Sequence, residues 1–503
     1  AAEAAPRGDD DAGQSDGRLA PLAALAAWAA LSLPCAWAFF GVEPYMDEIF
    51  HVPQAQRYCE GRLSEWDPKI TTFPGLYLFS AAPWLPGAAL QQQAPPSGGP
   101  LPGGAAVAAS GAGAERCPVH MLRATNLLFG AGCVLLLYRL MRRKMGASKA
   151  AASALVLSLF PTHFFYTFLY YTDVGSLFWT LLTHHLATPM RGRGLRSPWE
   201  VACAALAGLV AIAFRQTNAV WVLFTFGTAV LADLQCSPKW GARLGGSGSD
   251  ETDLTLAVLV DFVQGLLLES GRLLRRFGSL LVPVALFVVF VIKNGSVVVG
   301  DHSNHQMVTH WAQLAYLSAV TASFWGVVGP DAAVAPSSVK AFMNTCLSRG
   351  ETSLRAGLLM GMMYILLRRY SYAHPFLLAD NRHYTFYVWN RFLGRLPWLR
   401  EGLAPVYLYC GWLLYTKLGR AQSSLWFLIW CFACVLTLVP AHLLEPRYFT
   451  TAVMLAHAHA PERSWASLAA SGAACLLVNA ATLLVFLHRP FSGPDGELAR
   501  FMW

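Results

Sequence analysis

Charge is what this sequence has least of. Of its 503 residues 13% are Asp, Glu, Lys or Arg and 55% are hydrophobic, whereas a soluble protein carries about 25% charged residues. That scarcity excludes an ordinary soluble enzyme. Apolar runs of about 18 to 22 residues recur nearly end to end, each long enough to cross a bilayer as a helix, and 1–503 is read as one integral membrane domain. Blocks of like charge are missing as well. The net charge of +8 is spread over short loops, which argues against nucleic acid as a partner. Cysteine spacing of the metal-binding kind is absent, and Cys431 with Cys434 lies inside an apolar run where a structural role is expected. Cys59 and Cys117 could pair in an oxidising compartment, with two unpaired thiols as the leading alternative. No internal repeat is visible, which weakens an inverted-repeat transporter reading. Residues 1–17, the Ala/Gly/Pro-rich 91–114 and 244–253 have almost nothing to bury and are expected to be flexible.

The few cations carry topological information, because Lys and Arg collect in short cytoplasmic loops. The strongest basic loop, "YRLMRRKMGASK" at 138–149, is assigned to the cytoplasm, as are "RGRGLR" and the loop 235–276. The run 19–42 is long for a signal peptide, lacks a small-residue cleavage pattern and reads as an uncleaved first span. The segment 43–118 is then luminal. Further spans are expected near 119–138, 150–170, 174–189, 199–214, 219–234, 278–298, 310–328, 354–372, 403–416, 424–441, 447–459 and 467–488. The expected fold class is all-α and polytopic, with about thirteen transmembrane helices.

On that parity the polar clusters share one face. "YMDEIFHVPQAQRY" (45–58), "LYYTDVG" (169–175), "FRQTN" (214–218), "GDHSNHQ" (300–306), "LLADNRHYTFYVW" (377–389) and "LLEPRYF" (443–449) all fall at luminal span ends. Taken singly, each is an ordinary polar loop. Together they supply Arg, carboxylates and aromatic rings, which suits an anionic lipid phosphate and a sugar, since guanidinium forks match phosphate oxygens. Arg368, Arg369, Arg382, Arg391, Arg395 and Arg400 make one luminal segment as basic as the cytoplasmic loops. Either the parity slips near residue 350 or these cations serve an anionic ligand.

The stretches "YMDEIFHVPQAQRYCEG", "WDPKITTFPGLYL", "FRQTN", "LLADNRHYTFYVW" and "RFMW" resemble the dolichyl-phosphate-glucose-dependent alpha-1,2-glucosyltransferases of the endoplasmic reticulum. The likeness runs nearly the whole chain and departs mainly at 91–114 and 236–253. It implies a GT-C type fold in the endoplasmic reticulum membrane, an active site facing the lumen, dolichyl phosphate glucose as donor, a dolichyl-diphosphate oligosaccharide as acceptor, contact with membrane lipids, and no metal or other cofactor. It also implies transfer of the last glucose of the N-glycan precursor by single displacement with inversion, which asks for one carboxylate base.

Asp47 and Glu48 are the catalytic candidates. Neighbouring side chains diverge by about 100° on a helix, so the two do not hold one proton; Asp47 is expected as the base, with Glu48 orienting or binding the acceptor. His51 lies one turn beyond Asp47, although Val52 before Pro53 is biased away from helix; it is a candidate for phosphate binding or for a supporting place behind the base, with a merely structural role as the competing reading, and Gln54 is a candidate for substrate contact. For the leaving phosphate the candidates are Arg382, then His383, Arg215 and Arg447. Ion pairs of Arg447 with Glu445 and of Arg215 with Asp173, itself a substrate-binding candidate, are the competing account of the last two. Tyr384, Tyr387 and Trp389 are candidates to line the sugar, in competition with an interfacial aromatic belt. His302 completes the set. A membrane transporter or channel-like protein and a purely regulatory membrane partner are the alternative functions.

Overall fold

Proline, serine and glycine decide where the long apolar runs become helices. The computed structural model describes residues 10–85, 116–189, 195–245, 254–300, 307–326, 332–348, 350–493 and 496–503. The insert 91–114, most of 244–253 and His302 lie outside them. The helices are α1 (Asp10–Ala38), α2 (Glu48–Cys59), α3 (Gly75–Ala81), α4 (Val119–Met141), α5 (Ala147–Ser158), α6 (Pro161–Tyr166), α7 (Thr172–Ala187), α8 (Pro198–Phe214) and α9 (Asn218–Gln235). There follow α10 (Leu256–Leu268), α11 (Ser270–Phe277), α12 (Leu281–Asn294), α13 (Ala312–Ser323), α14 (Pro336–Leu347) and α15 (Gly350–Arg369). The last are α16 (Pro375–Ala379), α17 (Tyr384–Val388), α18 (Pro397–Gly402), α19 (Ala404–Gly419), α20 (Ser424–Leu438), α21 (Thr450–His459) and α22 (Trp465–His488). A two-residue antiparallel pair, Phe491–Ser492 with Leu498–Ala499, completes this all-helical layout.

Local chemistry explains several boundaries. At α8 the sequence Ser-Pro-Trp-Glu forms a capping box: Ser197 Oγ accepts from the Glu200 amide, Glu200 accepts from the Ser197 amide, and Pro198 occupies the first turn, where a missing N–H costs nothing. Pro161 disfavours helix at Phe160, whose ψ is 125°. The span expected over 150–170 is therefore two pieces, α5 and α6. The stretch expected as a final-third span at 447–459 is the ten-residue α21, about 15 Å long at 1.5 Å per residue against a hydrocarbon core of about 30 Å. Residues 452–460 are all buried, so α21 is a core helix.

Among the described residues five helical stretches have the length and apolarity to cross a membrane: Leu19–Ala38, Val119–Met141, Asn218–Gln235, Ser270–Asn294 and Trp465–His488. Residues 10–17, expected in a flexible tail, are helical, and the segment 235–276 between spans contains α10 and α11, because "LAVLVDFVQGLLL" is a continuous apolar run.

The first loop lies on the helix ends that carry the other polar clusters. A Cβ on Gly75 would sit 2.5 Å from the Ala213 carbonyl oxygen, so only glycine lets α3 approach the end of α8. Gln216 Nε2 donates to the Thr71 carbonyl at 2.7 Å, the Val299 amide donates to the same oxygen at 3.2 Å, and Gly300 packs against the carbonyls of Pro68 and Ile70. Cys59, at the end of α2, is disulfide-bonded to Cys117, two residues before α4. We predict that alkylation of the unfolded, unreduced protein leaves Cys59 and Cys117 unmodified, that reduction exposes both, and that mass spectrometry reads the difference.

Candidate functional site

The site is built around a forced turn. Met46 has φ 56°, the one positive φ at a non-glycine among the described residues, a conformation costing about 1–2 kcal/mol for an L-residue. What holds it is the next residue but one. Glu48 is fully buried, and its carboxylate accepts from Arg123 Nε at 2.8 Å, Arg123 Nη2 at 2.6 Å, the Tyr170 amide at 2.6 Å and the Tyr45 amide at 3.2 Å. Arg123, in α4, also donates to the carbonyls of Phe39 and Val42, both at 2.8 Å, and of Glu43 at 3.3 Å. The 39–48 turn is thus clamped shut, and Glu48 has no free lone pair for an acceptor.

Asp47 points the other way. Its side chain is 41% exposed, its Oδ2 accepts from Arg447 Nη1 at 3.0 Å, and its amide donates to Tyr171 Oη at 3.1 Å. Arg447 also pairs with Glu445 through Nε, and its Nη1 lies 3.8 Å from Asp173 Oδ2, while Asp173 Oδ1 pairs with Arg215. Both ion pairs weighed from the sequence are therefore present, joined into one network with Asp47 as a further member. The Arg447 guanidinium lies 5.7 Å from the Tyr166 ring, 5.6 Å from Tyr171 and 5.9 Å from Tyr448, and Arg215 lies 5.5 Å from Tyr448. This aromatic wall lowers the local dielectric and adds cation–π attraction. Asp173 Oδ2 accepts no hydrogen bond. Burial pushes the Asp47 carboxyl up, but Arg447, through charge and hydrogen bond, and His51 outweigh it and hold the group below the usual aspartate value.

His51 donates or accepts at 2.5 Å with Tyr77 Oη and is wedged between the Tyr77 and Tyr171 rings. Burial lowers its pKa, assisted by Arg447 and opposed by Asp47. It is an enclosed, neutral wedge behind Asp47, in the supporting place that the sequence offered beside phosphate binding. Gln54 is corrected: fully buried, it donates to the Glu65 carbonyl at 2.7 Å and accepts from the Asp67 amide at 2.9 Å, closing the loop beyond α2.

A second polar group faces this one. Arg382 is bound bidentately by Asp380, at 2.7 Å and 2.8 Å. His383 Nε2 lies 3.7 Å from Asp380 Oδ2. The Tyr384 ring stands edge-on to Trp503 at 5.2 Å. Tyr387 turns to Phe501 and Arg391, and Trp389 is buried in the π-helical turn Trp389–Leu393; the described contacts link neither to Asp47. Of the sequence candidates, Asp47, Asp173, Arg215 and Arg447 are joined directly, and Arg382, His383 and Tyr384 stand beside them. Sequence reasoning missed Arg123, Tyr166, Tyr171 and Tyr448 as members of the site. Arg123 had a visible signal, a lone cation four residues into an apolar helix.

A family model described as the DIE2/ALG10 family matches residues 42–458. The chain is similar to the protein named Dol-P-Glc:Glc(2)Man(9)GlcNAc(2)-PP-Dol alpha-1,2-glucosyltransferase in Rattus norvegicus, with 35% identity over 92% of this chain and 93% of the relative. Proteins of the same name in Homo sapiens and Arabidopsis thaliana are 34% and 32% identical, each over 92% of this chain and over 93% and 95% of their own length. No solved structure matches.

Removing Arg123 by Arg123→Met is expected to strand the Glu48 charge and cost about 3–5 kcal/mol, read as a large fall in unfolding midpoint in detergent. For Asp47 the sign follows from its lowered pKa: the ionised group adds stability above its unfolded value, and that stability is lost as pH falls through the folded value, below 3.8. The midpoint difference between wild type and Asp47→Asn should be positive and flat down to roughly pH 5 and shrink below roughly pH 4.

Proposed function

The chain belongs to the DIE2/ALG10 family, and from that premise we infer that it is a glucosyltransferase that transfers glucose in alpha-1,2 linkage to the diglucosylated, dolichol-linked oligosaccharide. The finer reading is a GT-C type enzyme of the endoplasmic reticulum membrane with about thirteen membrane-crossing segments, a lumen-facing site, and dolichyl phosphate glucose as donor. The Cys59–Cys117 disulfide supports a luminal first loop, because such bonds persist in oxidising compartments.

The single observation that carries the mechanism is Asp47 itself: an ionised, partly exposed carboxylate whose neighbour Glu48 is wholly consumed. The acceptor hydroxyl attacks the anomeric carbon of the donor glucose as the bond from that carbon to the phosphate oxygen breaks. The hydroxyl proton passes to Asp47, and dolichyl phosphate leaves with the electron pair. Asp47 is a weak base, but the hydroxyl becomes strongly acidic as its oxygen bonds to carbon, so a late transfer to a low-pKa carboxylate is downhill. One attack on the face opposite the leaving group turns a beta-linked donor into an alpha-linked product. Arg382, with Arg447 and Arg215, supplies the positive charge that stabilises the departing phosphate, and His383 stands beside Arg382; a phosphate leaving group needs charge neutralisation more than a proton. Asp173 Oδ2, lacking a donor, suits a sugar hydroxyl.

Asp47→Asn keeps the shape and the Tyr171 bond to the backbone, yet should lower glucose transfer from dolichyl phosphate glucose at least about a hundredfold, with the unfolding midpoint still measurable; retained transfer rejects the assignment. Cells lacking the chain should accumulate the lipid-linked glycan short of the last glucose only, and a normal glycan profile would remove the function.

A further inference from the structure

The stretch "RFMW" at 500–503 has no part in the mechanism above, yet it runs between its two halves. Tyr45, two residues before Asp47, accepts from the Arg500 amide at 2.7 Å and donates to the Arg500 carbonyl at 2.8 Å through one hydroxyl. Met502 then forms a parallel bridge with the basic cluster: its amide donates to the Arg382 carbonyl at 2.9 Å, and the Tyr384 amide donates to the Met502 carbonyl at 3.2 Å. The Trp503 carbonyl accepts from Tyr166 Oη at 3.0 Å and lies 2.9 Å from His383 Nδ1. Arg500 is anchored at its other end, where its guanidinium donates to the Phe486 carbonyl at 2.8 Å and the Leu487 carbonyl at 3.2 Å at the end of α22. The residues 380–384 otherwise sit among short helices with few buried side chains, so their alignment with Asp47 has no comparably direct source.

We propose that Arg500–Trp503 is a strap that positions Arg382 and His383 on the phosphate of the donor, with the Tyr45 hydroxyl as its buckle. The carbonyl at His383 Nδ1 holds that nitrogen as an N–H donor and fixes the plane of the ring. A main-chain rung on each side of His383 leaves the loop little freedom to move the guanidinium away from the phosphate. Tyr45 is a positioning residue: it acts through the strap and touches no reacting atom. This inference rests on the glucosyltransferase reading, and its failure is separable from that of the reading.

The test uses the full chain in detergent or microsomes. Tyr45→Phe keeps the ring packed on Phe486 at 5.8 Å and removes only the hydroxyl. The KM for dolichyl phosphate glucose should rise about tenfold, with inhibition by free dolichyl phosphate weakened by the same factor, while the acceptor KM stays within about twofold; two lost hydrogen bonds are adequate for that change. In an Arg382→Ala, His383→Ala double background Tyr45→Phe should add little, because both side chains that the strap aims are gone. Should Tyr45→Phe fail to accumulate, Tyr166→Phe removes the bond to the Trp503 carbonyl and decides in its place. An unchanged donor KM, an equal rise for donor and acceptor, or the full effect persisting in the Arg382→Ala, His383→Ala double background overturns the proposal. A wild-type protein that transfers no glucose from the donor removes the functional reading instead.

Discussion

The ion pair between Arg123 and Glu48 is the constraint on which the rest of the site depends. Both groups are enclosed, at 7% and 0% side-chain exposure, and a buried pair is costly unless its remaining donors and acceptors are also satisfied. Here they are: carbonyls of the 39–43 turn take the spare guanidinium hydrogens, and the amides of Tyr45 and Tyr170 take the spare carboxylate lone pairs. The pair therefore joins α4, the end of α1 and the start of α7 at one point. It also sets the sign of Asp47. With Glu48 facing inward, the preceding side chain must diverge from it, and the strained Met46 backbone is held because so many bonds over-determine it.

Around Asp47 the arrangement is one of compensated charge in a low-dielectric setting. The guanidinium groups of Arg447 and Arg215 are shared among the carboxylates of Asp47, Asp173 and Glu445, leaving one carboxylate in excess. Tyrosine rings exclude water from the faces of the guanidinium planes. Such a network reorganises little when a charged ligand arrives, which is what preorganised electrostatic catalysis requires. The neutral His51 behind it contributes shape. On the facing side, Asp380 holds Arg382 in a fixed plane, so the cation is presented in one orientation.

Much of this was legible before any coordinates. Scarce charge and recurrent apolar runs read correctly as a membrane protein. The polar clusters meet as expected in pieces: the first loop touches "FRQTN" through Thr71 and Gln216, "LYYTDVG" through Tyr171, and "LLEPRYF" through Arg447. Cys59 and Cys117 do pair. Family membership was visible in long motifs such as "YMDEIFHVPQAQRYCEG". Span boundaries were less legible, because hydropathy does not register that Pro161 splits one run or that α21 is a short helix buried in the core.

Residue chemistry and order along the chain determined that this protein is a helical membrane enzyme with acids, cations and aromatic rings at the ends of its helices. Which carboxylate of the Asp47–Glu48 pair is open, why Gln54 and His51 are enclosed, and that Arg447 rather than Arg382 touches Asp47 were decided only by tertiary structure. The physical reason is direction: identical side-chain types at adjacent positions differ only in where the backbone aims them, and that aim is set by partners such as Arg123, 75 residues further along the chain from Glu48.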